Sequence, residues 1–299
     1  MAGNTELQHY RTAFEMGLKI DAAQMDSRVA SKVDARFNYG EKGDSFSVDN
    51  LGNSDPSPMD DRYGDLPEGD IEHRRRVGHF EPWQDGRRLG SKFDEVRQVT
   101  DPTNDKMIAM KAGLARRQDV CVMAAILGTA YSGRTGTTSS VLPAAQKIAV
   151  DDHTYDANSG DYPLTVSKVM LAKEKLDAAE IAGKRHIIVP ARQISHMLTD
   201  TQVTSADFNT VKALVHGEID EWLGFTWTRY ESVLTDGSSD QLIAAFVEPA
   251  VCFRQRTLRA PDIWERKDKV PHWYGYYSVD QAAVRREDAG VIQIACDPN

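Results

Sequence analysis

The sequence has few cysteines, no long apolar run and no excess of basic charge. Its three cysteines, Cys121, Cys252 and Cys296, form no CxxC pair, which argues against a disulfide framework and favours reduced thiols. No stretch approaches the roughly 18 apolar residues of a membrane span, and the polar stretch from Met1 to Tyr10 predicts no export signal. The net charge of −9 disfavours a protein that grips nucleic acid by its phosphates.

Motifs for catalysis and metal binding are weak. The segment Gly128 to Thr135 matches a phosphate-binding loop except that Arg134 replaces lysine, but it follows a predicted helix and precedes poor helix formers, so we interpret it as a flexible connector. The run Asp151-Asp152-His153 lacks a metal-site spacing. Ser195 and His196 are neighbours on a predicted helix and point in different directions. The sequence therefore predicts neither an enzyme nor a cofactor or metal site.

A strongly acidic segment is the first positive feature. Residues 41–72 contain ten acidic and two basic side chains, with few apolar ones. Within it Ser45 to Val48 alternates like a strand, and turn residues follow. His73 to Trp83 then brings three consecutive arginines and several apolar residues. We predict a long two-stranded hairpin, charged at its tip, which needs a partner surface that another copy of the chain could supply.

The charge of the next segment has the opposite sign. Residues 74–97 contain seven basic and four acidic side chains, a local charge of +3 against −8 for residues 41–72. One interpretation is a solvated face, where exposed ion pairs contribute only about 0–1 kcal/mol each. The other is a head-to-tail contact between copies. The candidate intersubunit contacts are Asp60, Asp61, Asp65, Arg74, Arg75, Arg76, Arg87 and Arg88.

A long helix is predicted from Pro102 to Leu127, with Asp101 as its N-cap and Gly128 just after its end. At 1.5 Å per residue it would span about 39 Å. Its predicted apolar face comprises Met107, Ile108, Met110, Leu114, Ala115, Cys121, Val122 and Ile126. Such a helix could form a spine for the whole molecule.

The remaining elements alternate between helix and strand, so the predicted fold class is α+β. Helices are expected at Val166 to Ile181, around Ile194, Met197 and Leu198, and from Ser205 with Phe208, Val211, Leu214 and Val215 on one stripe. Strands are expected at Gln146 to Val150, His186 to Val189, Phe225 to Trp227, Leu242 to Val247, Val251 to Phe253, Trp273 to Val284 and Val291 to Cys296. Without interleaved basic residues, Tyr274, Tyr276 and Tyr277 favour an alternating core strand over a base-stacking surface.

Several stretches together resemble a known family. They are Arg74-Arg75-Arg76-Val77, Asp101-Pro102-Thr103, Gly128 to Gly133, Leu142 to Val150, Lys173 to Glu180, Val203 to Val215 and Gly217 to Phe225. They are similar to the major capsid proteins of tailed double-stranded DNA bacteriophages with the Hong Kong 97-type fold. The resemblance implies an N-terminal arm (1–35), an extended loop (36–98), a peripheral domain with the spine helix (99–128), an axial domain (129–255) and closing strands of the peripheral domain (256–299).

The resemblance also implies a function. The chain is expected to assemble into pentamers and hexamers of an icosahedral head in the host cytoplasm and to enclose double-stranded DNA without sequence-specific binding. Its expected partners are further copies of itself, together with scaffolding, portal and decoration proteins, and no membrane. The N-terminus lacks coiled-coil heptads that could act as a fused scaffold, so a separate scaffold or a processed form is expected. The alternatives are an encapsulin-like cargo shell and a nucleotide-binding enzyme that uses the Gly128–Thr135 loop.

Overall fold

The computed structural model describes residues 24–52, 54, 56, 69–91, 103–152, 160–197, 221–266 and 272–298. These residues form helices and sheets side by side, as the predicted α+β class requires. The helices are α1 (Thr103–Leu127), α2 (Val166–Ala178) and α3 (Ala191–Met197), with short 3-10 turns at Ala30–Lys32, Ala144–Gln146 and Glu248–Ala250. The strands are β1 (Asp34–Arg36), β2 (Ser45–Leu51), β3 (His73–His79), β4 (Glu81–Ser91), β5 (Ala130–Ser132), β6 (Thr138–Ser140), β7 (Lys147–Ile148), β8 (Arg185–Val189), β9 (Glu221–Trp222), β10 (Phe225–Arg229), β11 (Leu234–Thr235), β12 (Gln241–Val247), β13 (Val251–Arg266), β14 (His272–Arg285) and β15 (Val291–Cys296).

Helix α1 confirms the predicted long helix and, with 25 residues, is about 37 Å long. The expected cap, Asp101 and Pro102, lies outside the described residues. At the other end Gly128 donates its N–H to the Ala124 carbonyl, and a Cβ at position 128 would collide with that oxygen. The apolar face is narrower than predicted, because Ile108 is 36% exposed, and it includes the buried Met123, which the pattern missed.

Helix α1 packs on a four-stranded sheet with the order β1-β13-β14-β4. Strand β1 runs parallel to β13, whereas β14 runs antiparallel to both of its neighbours, β13 and β4. Alternate residues of β14, such as Tyr277 and Val279, are buried against Met110 of the helix. Gly275 lies so close to Met107 and Leu89 that a Cβ there would stand 2.9 Å from the Met107 sulfur. Helix α1 and this sheet therefore form two layers that pack against each other.

A second sheet, ordered β2-β3-β5-β6, contains the predicted hairpin. Strands β2 and β3 pair from Ser45 opposite His79 to Leu51 opposite His73. The predicted return strand was too long, because β3 ends at His79 and the chain from Glu81 pairs with β14 instead. The prediction of a flexible connector from Gly128 to Thr135 was also partly wrong, because this segment contains β5. Strand β5 pairs with β3, for example Val77 opposite Tyr131, and with β6, so that both strands extend the hairpin sheet.

The third sheet has seven strands, ordered β7-β15-β12-β8-β10-β9 with β11 on β12. Helices α2 and α3 cover one face, where Val169, Leu176 and Ile194 contact the sheet core. Helix α1 and the turn near Val29 cover the other face. Helix α2 ends earlier than its predicted limit, Ile181, because Glu180 takes a left-handed backbone conformation with a φ of 52°. The predicted helix from Ser205 lies outside the described residues, as does Leu198.

Strand β15 lies in the seven-stranded sheet, between β7 and β12. The division predicted from the sequence places residues 256–299 in the peripheral domain, yet β15 pairs with strands from the 129–255 segment. Strand β13 also crosses the predicted boundary at residue 255, since it is continuous from Val251 to Arg266. The sheets therefore connect the proposed domains more closely than their order along the chain suggests.

Candidate assembly surface

The base of the β2–β3 hairpin is supported by its own chain. Phe46 is buried, and its ring lies 5.7 Å from that of Phe80 and 6.2 Å from that of Tyr39. The guanidinium of Arg256 lies 4.1 Å from the centre of the Phe80 ring. At its base the hairpin therefore has a supporting surface within its own chain. Farther along the described part of the hairpin Leu51 is 65% exposed, and the predicted support from another copy applies to this outer part.

The arginine run predicted as an intersubunit contact has partners within the chain. Arg74 contacts Glu72 at 2.7 Å. Arg75 binds both carboxylate oxygens of Asp49 at 2.6 and 2.8 Å, and this bond lowers the pKa of the Asp49 carboxyl. Both pairs lie on the surface, where such contacts contribute little stability.

The basic residues of β4 differ in their surroundings. Arg87 lies 2.9 Å from Asp85, and Arg88 is exposed and stands opposite Tyr274 of β14. The acidic candidates Asp60, Asp61 and Asp65 lie outside the described residues, so their contacts stay a prediction.

A buried ionic junction joins the hairpin to the rest of the molecule. Asp288, in the turn between β14 and β15, accepts from Arg285 at 2.6 Å and from Arg76 of β3 at 2.7 Å. Arg285 has no exposed surface and also donates to the carbonyls of Ile126, Gly128 and Ser140. It thereby satisfies the Ile126 carbonyl at the C-terminal end of α1, where carbonyls lack partners within the helix. The hairpin, α1 and β6 thus meet at the Arg285–Asp288 ion pair.

A second buried carboxylate anchors the N-terminal segment. Asp119 of α1 accepts hydrogen bonds from the Ser27 hydroxyl and from the backbone N–H groups of Arg28, Val29 and Ala30, at 2.6 to 3.1 Å. The Gln24 side chain also donates to it. Because the first N–H groups of this turn have no helical partner, the carboxylate takes the place of a cap. The chain therefore joins the body at a fixed point on α1.

The three tyrosines of β14 lie on two faces. Tyr277 is buried against Met110, as a core strand predicts. Tyr274 and Tyr276 are only half-buried and contact Trp264, with ring centres 5.7 and 5.8 Å apart. The two faces follow from the alternation of a strand with one buried side, and basic residues that the tyrosines' own strand lacks come from the neighbouring β13. Arg259 stacks on Trp264 and Arg266 on Tyr274.

The segment considered as a phosphate-binding loop has a different geometry in the structure. In the Gly128–Thr135 segment a helix end leads into β5 and a turn, which is not the strand–loop–helix geometry of a phosphate-binding loop. Among the described residues no cluster of His, Cys, Asp and Glu could hold a metal, and no helix is long and apolar enough to cross a membrane.

Lys168 is buried in the core, where its ammonium donates to the carbonyls of Val150, Tyr162 and Ala295 at 2.8 to 3.1 Å. Burial lowers its pKa. Each of its three N–H bonds thus has an acceptor, which is a structural role.

With this geometry in place, comparison with known proteins decides the family. The family model described as phage capsid protein matches residues 7–298. The chain belongs to the phage capsid protein family. It is a structural capsid protein, and the resemblance to tailed-phage major capsid proteins is confirmed. Comparison with curated proteins gave no match.

Solved phage structures share the fold of this capsid protein. The capsid of Ralstonia phage GP4 aligns with a TM-score of 0.71 at 12% identity, covering 97% of each chain. The capsid of the cyanophage P-SCSP1u gives 0.71 at 14% identity, with 98% of this chain and 94% of that chain covered. A chain from Mycobacterium phage Che8 gives 0.65 at 14% identity, covering 95% of this chain and 97% of that one. The predicted fold class is thereby confirmed.

Neither of the two buried junctions of the capsid protein belongs to a recognisable sequence motif. The burial of Asp119 could have been predicted, because it lies on the same helical face as the apolar residues Ala115, Val122 and Ile126. A carboxylate buried on such a face needs several hydrogen-bond donors. Arg285 and Asp288 carry no such signal. They lie in a strand end and a turn, and only the tertiary structure brings them to the end of α1.

Proposed function

We propose that this capsid protein forms pentamers and hexamers, that these close into an icosahedral head, and that the head encloses double-stranded DNA. The match of the phage capsid family along residues 7–298 carries this proposal. The architecture supports it, because a rigid helix–sheet body bears a hairpin that is anchored at its base and exposed farther out. That exposed part gives each copy a means to contact a neighbour.

The proposed division of labour follows the predicted segments. The N-terminal arm (1–35) and the extended loop (36–98) would adapt to neighbours, the peripheral domain (99–128 and 256–299) would meet other capsomers, and the axial domain (129–255) would surround the capsomer centre. Strand β15 joins the axial sheet in this scheme. Because one sequence must fit five- and six-fold positions, flexibility belongs in the arm and loop and rigidity in α1.

The contacts between copies would be electrostatically complementary. We propose that acidic residues of one hairpin, Asp60, Asp61 and Asp65 among them, meet basic residues of the next copy, with Arg74, Arg75, Arg76, Arg87 and Arg88 as candidates. Opposed charges of this kind mainly fix register and increase the association rate. Heterologous contacts of this type close into rings when the rotation between copies permits it.

We also propose where the capsid protein assembles, which proteins assemble with it and how it behaves toward the packaged DNA. The protein would act without catalysis, would assemble in the host cytoplasm with separate scaffolding and portal proteins, and could carry decoration proteins. Its net charge of −9 would keep the packaged DNA from adhering to the wall, since a basic lining retains phosphates. Measurement of the charge on the inner surface of assembled particles tests this last point, and a strongly positive lining would contradict it.

Purification of particles from cells that produce the phage tests the proposal. We expect this chain to be the main protein of closed shells whose DNA resists nuclease until the shells are opened. Shells that instead hold a protein cargo and no DNA would favour the encapsulin-like alternative. Particles that lack the chain would contradict both.

A further inference from the structure

A cleft that is open to solvent lies between the hairpin strand β3 and the turn from β5 to β6. Its volume is about 690 Å³. Strand β3 contributes Arg74, Arg75 and Arg76 to its lining, and the turn contributes Arg134. We name these four residues the arginine cleft. Four guanidinium groups from two separate parts of the chain thus surround one space.

The turn that carries Arg134 is held against β3. The Gly133 N–H donates to the Arg75 carbonyl at 3.3 Å. Gly136 packs so closely on Val77 that a Cβ there would lie 2.9 Å from that side chain, and its φ of 68° favours glycine. The position of the turn beside β3 is therefore fixed by the backbone, and so is the place from which Arg134 extends.

The carboxylates of the chain leave part of the positive charge of the cleft uncompensated. Three carboxylates pair with the arginines of β3, namely Glu72 with Arg74, Asp49 with Arg75 and Asp288 with Arg76. Arg134 is exposed, and no carboxylate in the described part of the chain pairs with it. Four positive charges therefore face three negative ones.

The paired guanidinium groups also have N–H groups that their partners do not use. Asp49 binds Nε and Nη2 of Arg75, which leaves Nη1, and Glu72 binds only Nη2 of Arg74. The Nη1 atom of Arg76 is buried and has no acceptor among the described residues, which is unfavourable for a donor. Because a guanidinium has five N–H donors, an oxyanion can bind these arginines while the carboxylates stay in place.

We propose that the arginine cleft binds the phosphate groups of a polyanion. A phosphate presents oxygens in several directions, so it can accept hydrogen bonds from β3 and from the turn at the same time. A carboxylate presents two oxygens in one plane, and the chain itself already supplies three such groups. The volume of the cleft admits several linked phosphates, as in a polyphosphate chain or a nucleic-acid backbone.

This site differs from the phosphate-binding loop that the Gly128–Thr135 segment resembles in sequence. In such a loop, backbone N–H groups at the start of a helix converge on the phosphates. Here the Gly133 N–H is already bonded to the Arg75 carbonyl, and β6 follows the turn. Binding would therefore depend on side chains, with Arg134 as the cation that has no carboxylate of its own.

Phosphate binding goes beyond the proposed shell-forming function and does not depend on it. The arginines of β3 are also candidates for contacts between copies. Unassembled subunits are therefore the suitable material for a binding experiment, because no neighbouring copy competes for the cleft.

Calorimetric titration of the subunit with tripolyphosphate tests the site. We expect saturable binding that weakens as the salt concentration rises. Arg134→Gln should bind about tenfold more weakly, because a hydrogen bond between charged groups is lost, and its exposed position leaves the fold unchanged. Asp49→Asn should bind more tightly, because it frees Arg75 from a competing carboxylate. The matched control, Arg192→Gln, changes an exposed arginine of α3 and should bind like the wild type.

A competing duplex DNA identifies the source of the phosphate. Displacement of tripolyphosphate by the duplex would assign the cleft to a nucleic-acid backbone, and tripolyphosphate binding that the duplex leaves unchanged would assign it to free polyphosphate anions.

Three results would overturn the proposal. The first is a wild type that shows no saturable binding of tripolyphosphate. The second is an Arg134→Gln variant that binds as tightly as Arg192→Gln, or an Asp49→Asn variant that gains no affinity. The third is a peptide of residues 55–70 that binds the subunit more tightly than tripolyphosphate, which would make the cleft a site for an acidic protein segment.

Discussion

Two charged side chains without exposed surface, Asp119 and Arg285, each hold several segments of the molecule together. A buried charge is costly unless hydrogen bonds and opposite charges compensate it. Asp119 has donors from the N-terminal segment, and Arg285 has three carbonyls and Asp288. Loss of a partner at either site should therefore cost more than loss of a surface ion pair.

Substitution of Asp119 tests the anchor of the N-terminal segment. Asp119→Ala leaves the buried N–H groups near Val29 without an acceptor, and we expect the free energy of unfolding to fall by about 3 kcal/mol. Urea unfolding of the unassembled subunit measures this, and limited proteolysis should cut the N-terminal segment sooner. The exposed Asp26→Ala is the matched control and should change little. Equal stability of the two variants would contradict the anchoring role.

Substitution of Asp288 tests the ionic junction. Asp288→Ala leaves the charge of Arg285 buried without its carboxylate, so we expect a loss of about 3 to 5 kcal/mol in the free energy of unfolding. The exposed Asp262→Ala should lose less than about 1 kcal/mol. If thermal unfolding shows the same midpoint for both variants, Asp288 does not hold the junction.

The thiols give a third prediction at this scale. Burial raises the pKa of Cys121 and Cys252 to about 11 and that of Cys296 to about 12. Because the thiolate is the reactive form, all three should react slowly with a disulfide reagent at neutral pH, and the partly exposed Cys121 should react first. Absorbance at the wavelength of the released thiol measures the rates. Fast reaction of Cys296 in the folded subunit would contradict the buried position.

At the scale of elements, strand β1 is tied to β13 by an ion pair that should depend on pH. Arg254 lies 2.7 Å from Asp34. Partial burial raises the pKa of the Asp34 carboxyl, but the hydrogen bond and charge of Arg254 outweigh it and leave the pKa below its usual value. The stability from this pair is then fully present above about pH 3.9, the pKa of Asp in an unfolded chain, and is lost as the pH falls through the folded-state pKa.

The variant Asp34→Asn checks this linkage. We expect wild type to be more stable than the variant near neutral pH and the difference to shrink as the pH falls below about 3.9. Urea unfolding at a series of pH values measures the difference, with Asp262→Asn as the exposed control. A difference that stays constant through the acid range would show that Asp34 does not act through its charge.

Helices and strands with a regular pattern of apolar residues were predictable from the sequence. Elements stabilised by partners distant in sequence were not. The row through Val122 and Ile126 predicts α1, and the apolar run from His186 to Val189 predicts β8. Strands β5 and β6 have only three residues each and depend on pairing with β3, so composition alone indicated a connector. The outer half of β13 was missed because arginines, Pro261 and two bulges hide its alternation.

At the scale of the whole molecule, the candidate surface could be predicted only in outline. The opposite charges of residues 41–72 and 74–97 indicate that segments meet, but they do not indicate which ones. The structure pairs Arg75 with Asp49 in the same hairpin and builds a second basic region from β13, β14 and β4. Trp264 and Tyr274 are separated in sequence, and only the strand register brings them into contact.

An electron cryomicroscopy reconstruction of the purified particles tests the central claim most directly. We expect closed shells built from five- and six-fold capsomers of this chain, with the outer part of each β2–β3 hairpin lying on a neighbouring copy. A protein that remains a compact monomer at high concentration, with the outer hairpin folded back on its own body, would contradict the account.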